Sequence, residues 1–277
     1  MSMPLFNGCT VSTGRLSSSD PNLQNIPIRG EEGREIRKGF VAENGHYLVS
    51  ADYSQVELRV FAHYSKDQAF IDAFKRDEDI HSRTASEILP TKNGAVTSEM
   101  RRIAKAINFG IIYGMGPQKL SEELGIELKT ARDYIRAYYE RYQGVVRYKE
   151  QMIDNARKKG YVTTLFNRRR YLPDIQHSNS RIRSEAERMA INTPIQGTAA
   201  DLIKKAMIHI HRWLTRNGLK TRMLLQVHDE LVFEVPEEEL DAVMPMVRKE
   251  MEGIYPLRVP LKVDINKGRN WDEAQTR

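Results

Sequence analysis

The sequence predicts an α+β protein, sheet-based towards both ends of the chain, with a helical subdomain inserted between them. Three observations carry this expectation. Strand-like apolar runs occur within residues 36–60, at 224–235 and at 258–265. Helical signals fill the middle, from residue 67 to residue 159. No internal repeat or low-complexity linker divides the chain.

Residues 1–30 are rich in Ser, Asn, Gly and Pro and read as a short strand followed by an extended loop. Residues 36–60 read as strand, strand and a turn into a helix. There an apolar run from Tyr47 to Ala51 reaches Asp52, and Tyr53-Ser54-Gln55 lead into the helix-like run 56–62. Residues 67–89 read as one helix ended by Pro90. A loop at 91–97 precedes a long helix from Ser98 through Phe109, loosened by Gly110, Gly114 and Gly116. Residues 119–159 read as helical, broken near Gly125 and Gly144. YVTTLFNRRRYLP (161–173) reads as a hairpin with a basic turn, Arg168-Arg169-Arg170, which could touch a nucleic-acid backbone but reads better as solvated. A helix from Ser180 to Trp213 is expected to be interrupted by Pro194 and Gly197. The strand pair around His228, a helix over 236–252 and a last strand over 258–265 complete the chain.

Composition bounds the function. The 277 residues are enough for one large or two modest domains. A net charge of +6 suits a polyanionic partner. One cysteine, Cys9, excludes an internal disulfide and a multi-cysteine zinc site, and it carries no role. The opening MSMPLFNGCT lacks the features of a secretory signal, and no run approaches the ~18 apolar residues of a membrane span. The expectation is a soluble, cytoplasmic protein.

Two segments could carry chemistry. Asp52 stands where a strand turns into a helix, a rigid mount for a metal ligand, although a strand-end cap is the alternative. In LLQVHDELVFEV (224–235), His228-Asp229-Glu230 lie between two apolar runs. A charged hairpin tip is the alternative there, weakened by the absence of the Gly or Asn that tight hairpins favour. Carboxylates from two strands suit a hard divalent cation. On the helix over 101–113, Arg101, Lys105, Phe109 and Tyr113 recur every four residues and share one face. Two cations followed by two aromatic rings suit a nucleoside triphosphate better than a core stripe. Arg102 is rotated by about 100° and reads as structural. Arg15, Asn22, Gln24, Asn25 and Arg29 offer polar side chains to phosphates and minor-groove acceptors. Arg188, Asn192 and Gln196, again at spacings of four, would extend that surface.

DYSQVELR (52–59), RRIAKAINFGIIYGMG (101–116) and QVHDELVFEV (226–235) resemble the three polymerase motifs of the bacterial DNA polymerase I family, in the family's order. The resemblance extends from TGRLSSSDPNLQNIPIR (13–29) to VDINKGRNW (263–271). It implies a right-hand polymerase palm, an antiparallel sheet with helices, into which helical fingers are inserted. Residues 1–66 and 181–277 would form the palm and 67–180 the fingers, with the family's thumb and exonuclease domains expected to be absent. The implied activity is template-directed DNA synthesis, weakly processive, by a nucleotidyltransferase of DNA replication and repair. The alternative is a nucleic-acid- and nucleotide-binding module that has lost catalysis.

The implied cofactors are two Mg²⁺ ions, with Mn²⁺ able to substitute, held by Asp52, Asp229 and the main-chain carbonyl of Tyr53. Glu230 would act from outside that set. The implied triphosphate contacts are Arg101, Lys105 and His81; a solvated basic face is the alternative for the two cations and an ordinary surface histidine for His81. Phe109 falls to the sugar and Tyr113 to the base-pair pocket. Gln55 and Glu57 would select the sugar, Glu57 by occupying the place of a ribose 2′-hydroxyl; an ordinary helix-surface acid is the alternative. His228 would sit near the primer terminus, unless it is simply packed or solvated. The implied partners are primer-template DNA and deoxynucleoside triphosphates, with no membrane, for a monomer at the nucleoid.

Overall fold

The computed structural model describes residues 5–8, 11–27, 30–90 and 95–275; Cys9 and Arg29 lie outside them. Packing divides the chain into two compact units. One comprises Met1–Val56, Ala199–Pro256 and Leu261–Arg277, the other Glu57–Thr198 and Leu257–Pro260. This is a division by packing, not by the palm and fingers roles that the resemblance assigns at 66/67 and 180/181.

In chain order, β1 (Leu5–Asn7) pairs antiparallel with β2 (Ser17–Ser19). A 3-10 turn follows at Leu23–Asn25, capped by the Asn22 side chain. α1 (Glu31–Lys38) replaces the first strand expected near residue 36. EEGREIRK places acids in its first turn and bases in its last, which suits the helix dipole. Arg37 is buried, donates to the carbonyls of Pro27 and Ile26, and lies over the Trp271 ring. β3 (His46–Tyr53) and α2 (Val56–Ser65) match the expected strand and helix. The helix expected over 67–89 is two helices, α3 (Gln68–Lys75) and α4 (Ile80–Ile88). Asp67 and Asp79 cap them, each accepting a backbone N–H, so the second cap restarts the helix.

α5 (Ser98–Ile112), capped by Thr97, runs past Phe109 because Gly110 sits inside it and packs against Met115. α6 (Pro117–Leu124), α7 (Leu128–Arg141) and α8 (Gln143–Lys159) follow. The break expected at Gly144 falls at Tyr142. Gly144 lies within α8, and the position takes glycine because a Cβ there would come within 2.7 Å of Asp67 Cα. β4 (Tyr161–Thr163) and β5 (Arg169–Tyr171) form the expected hairpin. Its arginines are less free than expected, since Arg168 donates to the Gly197 carbonyl and Arg170 to the Thr193 hydroxyl. α9 (Ser180–Arg216) runs unbroken for 37 residues. Pro194 removes one N–H from it, and the burial of Ala190, Ile191 and Ile195 outweighs that loss.

β6 (Arg222–Val227), β7 (Glu230–Pro236), α10 (Leu240–Glu252), β8 (Val263–Gly268) and α11 (Trp271–Ala274) complete the chain. β8 starts at Val263 rather than Arg258, in keeping with Pro260, which has no N–H to give a ladder.

In the first unit, four antiparallel strands run in the order β6-β7-β3-β8. Alternation along β3 sends Val49, Ala51 and Tyr53 to one face and Leu48, Ser50 and Asp52 to the other. Towards α10, the Tyr53 hydroxyl donates to the Met251 carbonyl at 2.8 Å. On the opposite face Leu48 packs with Val227, Val232, Trp271 and Ala274. Each fully buried aliphatic side chain here contributes roughly 1.5–3 kcal/mol.

The second unit is helical apart from the β4–β5 hairpin. Its core is aromatic: Phe61, Phe70, Tyr138, Tyr142 and Tyr148 are buried. Their rings meet edge-on or tilted, with centroids 4.7 to 6.5 Å apart. A smaller cluster of Ala156, Val162, Leu172, Ile175, Ala186 and Ala190 fixes the hairpin against α8 and α9.

Candidate active site

Sheet register builds the carboxylate site of the first unit. Asp52 is paired with Glu230 on β7 and with Asp264 on β8, so three carboxylates stand in a row on one face. The Tyr53 N–H donates to the Asp229 carbonyl at 3.2 Å, which draws the β6–β7 turn to the end of β3. Glu230 is buried and accepts from Ser50 Oγ at 2.7 Å, Trp271 Nε1 at 3.0 Å and Gln275 Nε2 at 3.0 Å. Asp52 Oδ1 is buried with no hydrogen-bond partner. Burial, then the charges of Asp229, Glu230 and Asp264, push Asp52 from 3.8 up to about 8. Ser50, Asp52, Val227, His228, Asp229, Glu230 and Gln275 line a cleft of about 100 Å³.

The turn carrying Asp229 is a tight hairpin after all. Val227 pairs with Glu230, leaving His228 and Asp229 as its two residues. In place of Gly or Asn, His228 takes φ 54°, and Gln55, after the end of β3, takes φ 54° too. Strained backbone thus brackets the carboxylates on both sides. His228 is exposed at the tip. Gln226 donates to its carbonyl at 2.5 Å, and Gln24 Nε2 donates to the carbonyl and the side-chain oxygen of Gln226, both at 3.0 Å. The 13–27 segment is thereby tied to β6, with Arg15, Asn22 and Asn25 exposed.

This donor set suits a hard cation. An orphaned carboxylate oxygen beside three other carboxylates lacks only positive charge. Among the described residues no group of three or more His, Cys, Asp or Glu side chains could hold a metal ion. Two carboxylates and a carbonyl fit Mg²⁺, which keeps several waters and takes substrate oxygens as further ligands.

The second unit carries the other predicted side chains. Arg101, Lys105 and Tyr113 are exposed and Phe109 half-buried, while Ala104, Ile107, Asn108 and Ile111 are buried. The spacing of four therefore does mark one open face of α5. Phe109 and Tyr113 stack at 6.4 Å, and the His81 ring lies 5.7 Å from Phe109. Glu57 is not a surface acid: it is 8% exposed, and its Oε2 accepts from the Tyr113 hydroxyl at 2.5 Å. Arg101 is engaged by Asp79 through Nε at 3.2 Å and Nη2 at 2.7 Å. Asp79 sits at about 2: burial raises it, but the hydrogen bonds from Arg101 and Ser82 outweigh that. His81 is buried, which holds it down at about 4. The neutral ring accepts at Nδ1 from Asn108 Nδ2 at 3.1 Å, leaving the proton on Nε2. On α9, Arg188 is exposed beside Gly114, whose φ of 68° turns the chain after α5. A Cβ at Gly114 would meet Arg188 Cγ at 2.8 Å. Asn192 and Gln196 follow it, half-buried, and Asn192 Oδ1 has no partner.

Sequence reasoning missed Asp264, Asp79 and Asn108. Asp264 carried one weak signal, an acid in an otherwise strand-like VDI. Asp79 carried only the local signal of a helix cap, which does not show its pairing with Arg101, and Asn108 carried none.

The chain was compared with known proteins. The model of DNA polymerase family A matches residues 3–273. DNA polymerase I of Bacillus caldotenax is 53% identical over 272 residues, which cover 98% of this chain and 31% of that protein. DNA polymerase I of Bacillus subtilis (strain 168) is 54% identical over 271 residues, with the same coverage. The chain thus spans about a third of the length of these curated relatives. Among solved structures, the POL domain of Pol1 from M. smegmatis, in complex with DNA primer-template and dNTP, superposes with a TM-score of 0.94 at 47% identity. That match covers 98% of this chain and 48% of the other. The right-hand polymerase fold expected from the sequence is therefore the fold of this chain.

Proposed function

We propose that this chain, which belongs to DNA polymerase family A, adds deoxynucleotides to a primer 3′-hydroxyl under the direction of a template strand. The observation that carries the reading is the partnerless Asp52 oxygen among Asp229, Glu230 and Asp264. Such a cluster is costly in the folded chain, and a cation entering it would remove that cost. Asp52, Asp229 and the carbonyl of Tyr53 would hold two Mg²⁺ ions. When bound, these lower the pKa of the attacking hydroxyl and neutralise charge on the departing pyrophosphate. Glu230, saturated by its three donors, keeps the cleft's shape and adds negative charge.

On α5, Arg101 and Lys105 would take the triphosphate, with His81 Nε2 as a neutral donor. Phe109 would lie against the sugar and Tyr113 against the base. Glu57, buried and held by Tyr113, would fill the room a ribose 2′-hydroxyl needs; Gln55 would support it in choosing the sugar. Arg15, Asn22, Gln24, Asn25, Arg29, Arg188, Asn192, Gln196 and His228 would contact primer-template DNA. These roles make residues 1–66 and 181–277 the palm and 67–180 the fingers of a monomer acting at the nucleoid. Among the described residues no helix is long and apolar enough to cross a membrane.

The test is primer extension with Mg²⁺ at high protein concentration, with a competitor trap to measure processivity, which should be low. Asp229→Asn should abolish extension while primer-template binding stays within a few fold. Extension by Asp229→Asn at the parent rate would overturn the assignment. Binding without extension by the parent chain would favour the binding-module reading.

A further inference from the structure

Within the second unit, two adjoining hollows run along α8, and none of the site residues assigned above lines them. One, of about 660 Å³, is bordered by Lys66, Arg147, Gln151 and Lys158. The other, of about 260 Å³, is bordered by Lys159, Tyr161 and Asn167. They share Tyr64 and Asn155 as walls. Arg147, Gln151, Asn155 and Lys158 or Lys159 recur at helical spacing, so α8 offers the trough one continuous polar face.

We propose that this trough binds a single strand of nucleic acid, namely the unpaired part of the template; only the source of that strand rests on the polymerase reading. Charge is the first argument. Among the described residues Lys66, Arg147, Lys158 and Lys159 have no ion-pair partner, whereas Asp154, one of two acids on the rim, is already drawn to Arg157 at 4.0 Å. The other acid, Glu150, leaves the trough net positive. Lys66 holds φ 53° at the end of α2, a left-handed position that glycine fills with less strain, yet a cation stands there. Aromatic surface is the second argument. Beside the trough, Tyr171 is 67% exposed, its ring lies 5.7 Å from that of Tyr161, and the Arg169 guanidinium covers Tyr161 at 4.8 Å. Free cations along a groove that ends on an open ring, with amides between, is the pattern that single strands use: phosphates on cations, bases on rings. Template-directed synthesis always presents an unpaired strand, which makes the occupant available.

The experiment is fluorescence anisotropy with the intact chain and three probes: a blunt duplex, a primer-template with a long 5′ template overhang, and a free oligothymidine. The variants are Lys66→Ala/Arg147→Ala/Lys158→Ala, all exposed, and Tyr171→Ala. The triple variant should weaken overhang and oligothymidine binding by tenfold or more. It should also flatten the salt slope by about 2, at ~0.7 per lost phosphate contact on a single strand. Tyr171→Ala should weaken both by about fivefold or more, and blunt-duplex affinity should not move. Unchanged overhang affinity and slope, or an equal loss on the blunt duplex, would overturn the proposal. Single-nucleotide addition on a template with one unpaired nucleotide separates the two readings. Its failure in the parent chain, with the anisotropy results as expected, would sink the polymerase assignment and leave the trough standing.

Discussion

Asp52→Asn tests whether the carboxylate row is a preformed cation site. In the metal-free chain Asp52 titrates at about 8 instead of 3.8, with burial as the main cause and its three acidic neighbours adding to it. Folding then takes up a proton between those values. The native state binds more protons than the unfolded one, so stability falls as pH rises through that window. The contribution is fully present below about pH 3.8 and lost as pH passes about 8. From 3.8 to pH 7, at about 1.36 kcal/mol per unit, the strain has a ceiling of about 4 kcal/mol. An amide buried there gives back about 1–2 kcal/mol for its own desolvation. The expected net gain at pH 7 is on the order of 2 kcal/mol, a few degrees in Tm for a chain of this size. The assay is thermal unfolding in EDTA from pH 5 to 8, and again with Mg²⁺. The parent chain should lose stability as pH rises and recover it with Mg²⁺, most strongly at pH 8. Asp52→Asn should be the more stable protein in EDTA and gain little from Mg²⁺. If the parent chain in EDTA were equally stable across that range and matched by Asp52→Asn, the row would carry no strain and the reasoning would fail.

Other expectations follow from the second unit. Asp79→Asn frees Arg101 from a partly exposed pair contributing about 1 kcal/mol at most. The nucleotide KM should therefore fall two- to fivefold with kcat little changed, and a rise in KM would mean that Asp79 orients Arg101 instead. The same carboxylate, depressed from 3.8 to about 2, contributes stability above pH 3.8 that is lost as pH falls through 2. Acid titration followed by circular dichroism should show that loss, and Asp79→Asn should lack it. Glu57→Ala should open the sugar pocket to ribonucleotides by tenfold or more in relative kcat/KM, with unchanged selectivity counting against the steric role. Gly144→Ala should destabilise the chain by about 1–3 kcal/mol, because its Cβ would meet Asp67 Cα at 2.7 Å and the Ser65 carbonyl at 2.8 Å. A Tm equal to the parent's would show that α8 can shift.

What the sequence disclosed and what it hid separate by the range of the forces involved. Asp52 was legible because a strand end and a helix start are local signals, and the α5 face because a period of four survives in one dimension. Both needed only neighbours within a few residues. Asp264 needed the register between β3 and β8, two strands far apart in the chain that pair only after the sheet exists. Asp79 read as part of one continuous helix, whereas its side chain starts a new helix and holds Arg101, 22 residues further along. The β6–β7 turn misled in a more instructive way. Turn chemistry argued against a tight hairpin because no Gly or Asn was present, and that argument was sound for stability alone. His228 accepts the strained φ because seven paired residues of β7 and β3 fix the strands on which the turn is mounted. A local rule was broken where the surrounding sheet could hold the strain, beside Asp229, the proposed metal ligand at the end of β3. Departures of this kind are therefore signals in their own right: a residue that a turn does not favour marks the position where something other than the turn decided the sequence.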